Sequence, residues 1–421
     1  MVSISHHLNK PMRILFLAHR TPLPPNKGEK LRALWELRTL ARRHEIDLFC
    51  FCDDAEDEKH LAQLGNLCHE FYVERLSWFW SRAQATSALV RGVPFTTAFF
   101  YSRRMWHKIQ AAIQAKAYDR VFVFSSAMAQ YVETSGLPTI VDFVDVDSDK
   151  WQQYAAQRPW PWAWLARGEA SRLAAYERRL LQQSEAVLVC TEAEARVLKP
   201  DVPANVCVLP NYIDVTYYDP AKIRLLDEVR SWQPYVLFSG SMDYFPNVDA
   251  ALYFYHEIFP LVRRANREIK FVIAGRSPHA SIRKLAADPA VRITGSVFDI
   301  RPYLCGASAA VAPMRIARGI QNKILESLAA GVPVVASTVV APSLQRDLLR
   351  LVKYADNAGE FADAVLEVLA EGPMKRRAER RAALSEHMKS LALDSQLHRI
   401  VGSPGSISCT ESASALVRAN V

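Results

Sequence analysis

The chain has 421 residues, half of them hydrophobic and 23% charged, which excludes a disordered protein and leaves room for two domains with large cores. Its formal net charge of +8 suits an anionic partner, yet no DNA- or RNA-reading motif accompanies that charge, so nucleic acid is not expected. No stretch approaches the roughly 18 apolar residues of a membrane span, and MVSISHHLNKP at the start lacks the apolar run of a signal peptide.

The first strand is RILFLA (13–18), followed by the loop HRTPLPPNKGEK and the helix LRALWELRTLARR. Further strands follow at IDLFCF (46–51), YVERL, VFVFSS (121–126), TIVDFV (139–144), AVLVC (186–190) and VCVLP (206–210), with helical stretches between. Strands alternating with helices predict a parallel, doubly wound sheet. PNYIDVTYYDP (210–220) breaks the pattern and marks a boundary. A second alternation runs through PYVLFSG (234–240), IKFVIAG (269–275), VRITG (291–295), SAAVAP (308–313) and VPVVAS (332–337). The expected fold class is α/β, with two Rossmann-like domains in tandem. The first spans 12–212 and the second 213–372, a basic helix at about 373–400 returns to the first, and the Ser-rich 402–421 is disordered.

The densest signal is GIQNKILESLAAGVPVVAS, Gly319 to Ser337. Ile324, Leu325, Leu328 and Ala329 recur at helical spacing, Gly331 reads as a C-terminal cap, and Val332 to Ala336 as a buried strand. Lys323 and Glu326, three apart, share one face near the helix start. A carboxylate there can grip vicinal hydroxyls, and an ammonium with free N–H groups can hold a phosphate. An ordinary exposed Lys–Glu pair fits the same spacing.

In order, PPNKGEKLR, VCTEAEA, VLPNYIDVTYYDP, LFSGS, VIAGRSP, ITGS and VAPMRIARGIQNKILESLAAGVPVVAS resemble the motifs of family-4 (group 1) retaining glycosyltransferases of the GT-B fold. SMDYFPN with RIARGIQNKILE narrows the resemblance to sugar transferases of exosortase (PEP-CTERM) and exopolysaccharide systems. The resemblance implies two domains facing across a cleft, the second binding a nucleotide-sugar and the first a lipid-linked or oligosaccharide acceptor. By matching position, Glu326 grips the nucleotide ribose. Lys323 and the N–H groups of Gly319 and Ile320 lie at the donor diphosphate and sugar. Gly240, Ser241 and Gly275 line the nucleotide, and Gly28 belongs to the loop that closes over phosphate and acceptor. The implied reaction is retaining sugar transfer without metal or other cofactor, on the cytoplasmic side of the plasma membrane.

Three departures mark this chain. Arg318 stands where the family's first Glu belongs, eight residues before Glu326. Ser241 and Pro246 occupy the region of the family's Arg and Lys, and VDFVDVDSD replaces its His-Asp. Arg276, Arg315, Arg318 and Lys323 are therefore nominated to meet phosphate charge, because a guanidinium fork pairs two phosphate oxygens at once. His19 and Asp145 are placed on the acceptor side, although a lone His is more often structural. Asp142, Asp145, Asp147 and Asp149 could ligate a hard cation, but they lack the Gly and Glu of a calcium loop, so no metal is expected.

Two further features stay open. The stretch 151–183 carries Trp151, Trp160, Trp162 and Trp164 with several arginines, which fits either a site on an anionic membrane surface or a packed core with a solvated helix face. The seven cysteines form no CxxC and read as core thiols in a reducing compartment. Against the enzyme stands a non-catalytic sugar-nucleotide-binding or polysaccharide-assembly subunit, motivated by the departures above. A nucleotide-sugar epimerase of the same fold is a third reading.

Overall fold

The computed structural model describes residues 11–25, 27–77, 88, 92–157, 159–198, 205–317, 321–372 and 376–402. It divides into two units. One holds the chain up to Pro210 together with the stretch from Leu393 onward, and the other holds Asn211–Ala392. The boundary falls at Pro210, and the C-terminal helical region is shared: Arg377–Leu391 lies in the second unit, Leu393–Gly402 in the first.

The first unit is built on seven parallel strands: β1 (Arg13–Ala18), β2 (Glu45–Cys52), β3 (Glu70–Arg75), β4 (Arg120–Phe124), β5 (Thr139–Asp142), β6 (Ala186–Val189) and β7 (Val206–Val208). Their order is β3-β2-β1-β4-β5-β6-β7. Ile14 pairs with Ile46 on one side and Arg120 on the other. Ile14 to Ala18 are wholly buried, as a strand covered by helices on both faces must be. The order reverses between β1 and β4, so the crevice beyond their C-terminal ends is where an open α/β sheet takes ligands.

The second unit repeats this plan with β8 (Tyr235–Ser239), β9 (Lys270–Ala274), β10 (Val291–Gly295), β11 (Ala309–Ala312), β12 (Val334–Ala336) and β13 (Val352–Tyr354), in the order β10-β9-β8-β11-β12-β13. Its switch point lies between β8 and β11. The edge strand β13 is an addition to the sequence reading; its three residues, Val-Lys-Tyr, are too few to show a period.

The helix Asn322–Ala329 follows β11 and turns Ile324, Leu325, Leu328 and Ala329 into the core. It ends in a Schellman motif: the Gly331 N–H donates to Leu328 O at 2.9 Å and the Val332 N–H to Ser327 O at 2.8 Å. Gly331 takes φ +72°, a conformation that a side chain disfavours. The chain then enters β12 directly.

Among the described cysteines, Cys50, Cys52, Cys68, Cys190 and Cys305 form no disulfide. Cys207 is disulfide-bonded, which corrects the reading of every cysteine as a core thiol.

Candidate functional site

The C-terminal edge of the second sheet assembles most of the donor-side residues that the sequence singles out. β8 ends at Ser239, and the N–H of Gly240 just beyond it donates to Ala274 O at 3.0 Å. Gly240 has φ +148°, and a Cβ there would lie 2.7 Å from Asn247 Nδ2. A Cβ on Gly275 would lie 1.7 Å from Gly240 O. The two loops therefore touch backbone to backbone, and glycine is required on that ground before any ligand is considered. Arg276 donates Nε to Ser241 Oγ at 3.0 Å, tying the second loop to the first.

Lys323 lies under this junction. Its Nζ donates to Asn247 Oδ1 at 2.6 Å and sits 3.7 Å from Met314 Sδ and 4.6 Å from the centre of the Phe238 ring. Asn247 in turn donates Nδ2 to Ser241 O at 3.0 Å. An amide oxygen, a thioether and a ring face solvate an ammonium poorly. Burial accordingly pushes the Lys323 pKa down to about 7, against a smaller opposing pull from Glu326. Glu326 is pushed up to about 7 by burial, offset in part by the Tyr218 hydroxyl, which donates to its Oε1 at 3.2 Å, and by Lys323. Among the described residues neither group has an ion-pair partner, so the edge holds one cation and one carboxylate poised near neutrality.

Arg315 stands apart from this pair. Its guanidinium forks onto Asp249, with Nε 2.9 Å from Oδ2, and lies over the Tyr253 ring. Its charge is already met, so the phosphate role nominated for it requires that ion pair to open. Arg318, Gly319 and Ile320 lie outside the described residues.

In the first unit, Gly28 opens the helix Gly28–Ala41, whose N-cap, Lys27, makes no side-chain cap bond. His19 follows β1 and is buried between aromatic rings, stacked on Phe124 at 5.8 Å and edge-on to Phe100 at 5.3 Å. Burial lowers its pKa well below the usual histidine range, with Arg20 adding to the shift. Asp145 is partly exposed, 3.7 Å from Lys150 Nζ, and Lys150 is equally near Asp147. Asp142 is wholly buried and pairs with Arg32, Oδ2 to Nε, at 2.5 Å. Asp145 and Asp147 thus share one cation, Lys150, while Asp142 serves Arg32. Among the described residues the one group placed to share a metal ion is Asp47, His69 and Glu70, where Arg13 and Lys116 already lie 3.0 Å from Asp47 Oδ2.

Tyr218, Asn247 and Asn211 were missed from sequence. Asn211 donates Nδ2 to Asn322 Oδ1 at 2.9 Å, at the start of the site helix. Both Asn211 and Tyr218 fall in the segment read as a boundary, where backbone pattern draws attention away from side chains.

Residues 233–371 match the model of the family described as glycosyl transferases group 1. No curated protein matches the chain in sequence. Among solved structures, the chain is similar to Anabaena HepE in complex with UDP and glucose (TM-score 0.63, 12% identity, 93% of this chain and 100% of that one). It is also similar to sucrose-phosphate synthase from Thermosynechococcus elongatus (0.64, 16%, 93% and 98%) and to TarM (0.64, 12%, 93% and 99%). The fold is GT-B, two Rossmann-like units of parallel strands, and its second unit carries the group 1 glycosyl transferase pattern.

Proposed function

We propose that this chain is a retaining glycosyltransferase that moves a sugar from a nucleotide-sugar donor to a lipid-linked or glycan acceptor in exopolysaccharide or cell-surface polysaccharide synthesis. The observation that carries the reading is the Lys323–Glu326 edge, which lies within the matched stretch and holds a buried amine and a buried carboxyl that are hydrogen-bonded to the neutral Asn247 and Tyr218. Glu326 accepts from the ribose hydroxyls of the donor. Lys323, with Arg276 and Arg318, meets the negative charge that grows on the leaving diphosphate, so the protein acts by placing charge where the transition state needs it. The donor class is consistent with a similar structure that binds UDP with glucose. The leaving diphosphate helps deprotonate the acceptor hydroxyl, and the reaction proceeds in excess chelator.

The test is a ligand-observed NMR screen of nucleotide-sugars, followed by measurement of donor-dependent nucleotide release with and without glycan or lipid-linked acceptors. Release that depends on acceptor supports the transferase. Binding without any release would favour the non-catalytic subunit, the alternative that Arg318 in place of the family's Glu motivates. Release without acceptor consumption would favour a hydrolase, and conversion of the bound nucleotide-sugar into an isomer without net release would favour an epimerase.

The work site we propose is the cytoplasmic face of the plasma membrane. Among the described residues no helix is long and apolar enough to cross a membrane. Trp160, Trp162 and Trp164 are 82%, 62% and 64% exposed, so they are not core residues. They stand at the start of the helix Trp162–Gln183, which buries both of its acids, Glu169 and Glu177, and exposes Arg167, Arg178 and Arg179. An aromatic tip followed by an outward cationic face suits an anionic leaflet. Flotation with anionic vesicles at low and high salt tests this. Binding that salt weakens and that Trp160, Trp162 and Trp164→Ala abolishes supports it, and a folded protein left at the bottom at low salt refutes it.

A further inference from the structure

The segment Asn211–Asp219 and the helix Arg377–Leu391 both lie outside the matched residues 233–371, yet both fasten onto the helix that carries Glu326. Asn211 holds its start through Asn322. Tyr218, only 2% exposed, holds its middle through Glu326. Arg381 holds its end: Nη1 donates to Ala329 O at 2.5 Å and to Tyr218 O at 3.0 Å, while Nη2 lies 3.4 Å from Asp219 Oδ1. One guanidinium therefore joins the backbone of the residue that touches Glu326 to the end of the helix that bears Glu326. Tyr217, next in the chain, is fixed separately. The Arg301 guanidinium lies 3.9 Å from the centre of its ring and donates to its carbonyl at 3.1 Å.

A glutamate has three side-chain torsions to fix before its oxygens can meet two neighbouring hydroxyls at once. Each freely rotating bond dilutes the productive orientation. A phenol donor on Oε1 removes most of that freedom and leaves the second oxygen open. The phenol can do this only if its own backbone is anchored to the same helix, and Arg381 supplies that anchor. We propose that Tyr218 and Arg381 are positioning residues that hold the Glu326 carboxylate in the orientation that receives the ribose diol of a nucleoside diphosphate. The proposal rests on the reading of Glu326 as the ribose-binding group.

The experiment uses the full chain and takes UDP, GDP and ADP as probes, the tightest being carried forward. Its dissociation constant is measured for the parent and for Tyr218→Phe, Arg381→Lys, Arg381→Met, Glu326→Ala and the Tyr218→Phe/Glu326→Ala double variant, with a melting curve for each. Tyr218→Phe is expected to weaken binding about threefold to tenfold, the worth of one such hydrogen bond, and to have no further effect once Glu326 is Ala. Its affinity–pH midpoint moves up, because a donated hydrogen bond that favours the carboxylate is gone. The charged group facing Glu326 from its own helix, Lys323, is kept in every variant. Arg381→Met weakens binding as Tyr218→Phe does, and Arg381→Lys, which keeps a donor, recovers part of the loss. If Arg381→Met does not fold, Tyr218→Phe decides, since it removes a single oxygen. Unchanged affinity and midpoint in Tyr218→Phe, or an equal loss with Glu326 as Ala, overturns the positioning role while leaving the ribose reading intact. Parent-like affinity in Glu326→Ala overturns the ribose reading itself.

Discussion

Each unit places a charged helix after a strand of its switch point, and the two helices treat their charges differently. In the first, the helix Gly28–Ala41 buries Lys30, Arg32 and Glu36 almost completely. Lys30 pairs with Asp57, and Arg32 pairs with Asp142, lies 3.2 Å from Glu36 and donates to Leu209 O at 2.8 Å. Nearby, Arg20 pairs with Asp53 at 2.6 Å. In the second, Lys323 and Glu326 hydrogen-bond to the neutral Asn247 and Tyr218, and feel each other's charge without forming an ion pair among the described residues. Compensated charge holds a fold in place. On the proposed reading, the less compensated pair at this sheet's C-terminal edge is held in reserve for a ligand that brings its own charge and hydroxyls.

This contrast can be broken most forcefully at Arg32. Arg32→Met strips the cation from Asp142 inside a closed interior, and loss of one member of a buried pair costs about 3–5 kcal/mol. Denaturant unfolding should show that loss, and a change within about 0.5 kcal/mol would mean the first unit's charges are no more structural than the second's. At Lys323 the outcome reverses. Lys323→Met should fold, while nucleotide-sugar turnover drops about 10- to 100-fold, the worth of a charge-assisted contact of 1.5–3 kcal/mol. Full turnover would show that Lys323 belongs to the structure rather than to the donor.

The smallest effect sharpens the comparison by its sign. Glu326 has a folded pKa of about 7 against an ordinary value of 4.5. The folded state therefore binds the extra proton between those values, so this group's contribution to stability is present below pH 4.5 and is lost as pH rises toward 7. Glu326→Gln, neutral at every pH, should then be more stable than the parent at pH 8 and no more stable at pH 4, even as it binds donor less well. A variant less stable than the parent at pH 8 would place Glu326 among the structural charges.

Much of the fold was legible because long apolar runs such as RILFLA and VLFSG carry a two-sided buried strand in their composition, and strand–helix alternation does the rest. The pair Lys323 and Glu326 was legible because helical spacing alone puts two residues three apart on one face. Arg315 was not, since its capture by Asp249 joins residues 66 apart and no local period announces it. Tyr218 and Arg381 were hidden for a related reason. Arg381 acts on backbone carbonyls, which every residue possesses, so nothing in the side-chain pattern near Ala329 points to it. Likewise, the exposure of Trp162 and Trp164 could not be read from their types, because Trp is usually well buried.

The division of the C-terminal helices carries a consequence for how the chain comes into being. Asp394, just past the left-handed Ala392, accepts from Trp35 Nε1 at 2.9 Å, Thr39 Oγ1 at 3.1 Å and Arg42 Nη1 at 2.5 Å, and Leu397 and Val401 are wholly buried. These partners of the helix Gly28–Ala41 leave the ribosome only after the entire second unit has been translated. During synthesis the unit that begins first is therefore the one completed last. The nascent N-terminal half waits with the face of the helix Gly28–Ala41 that this segment covers still open to water until the helix Leu393–Gly402 arrives, which makes that interval the stage at which a chaperone has the most to shield.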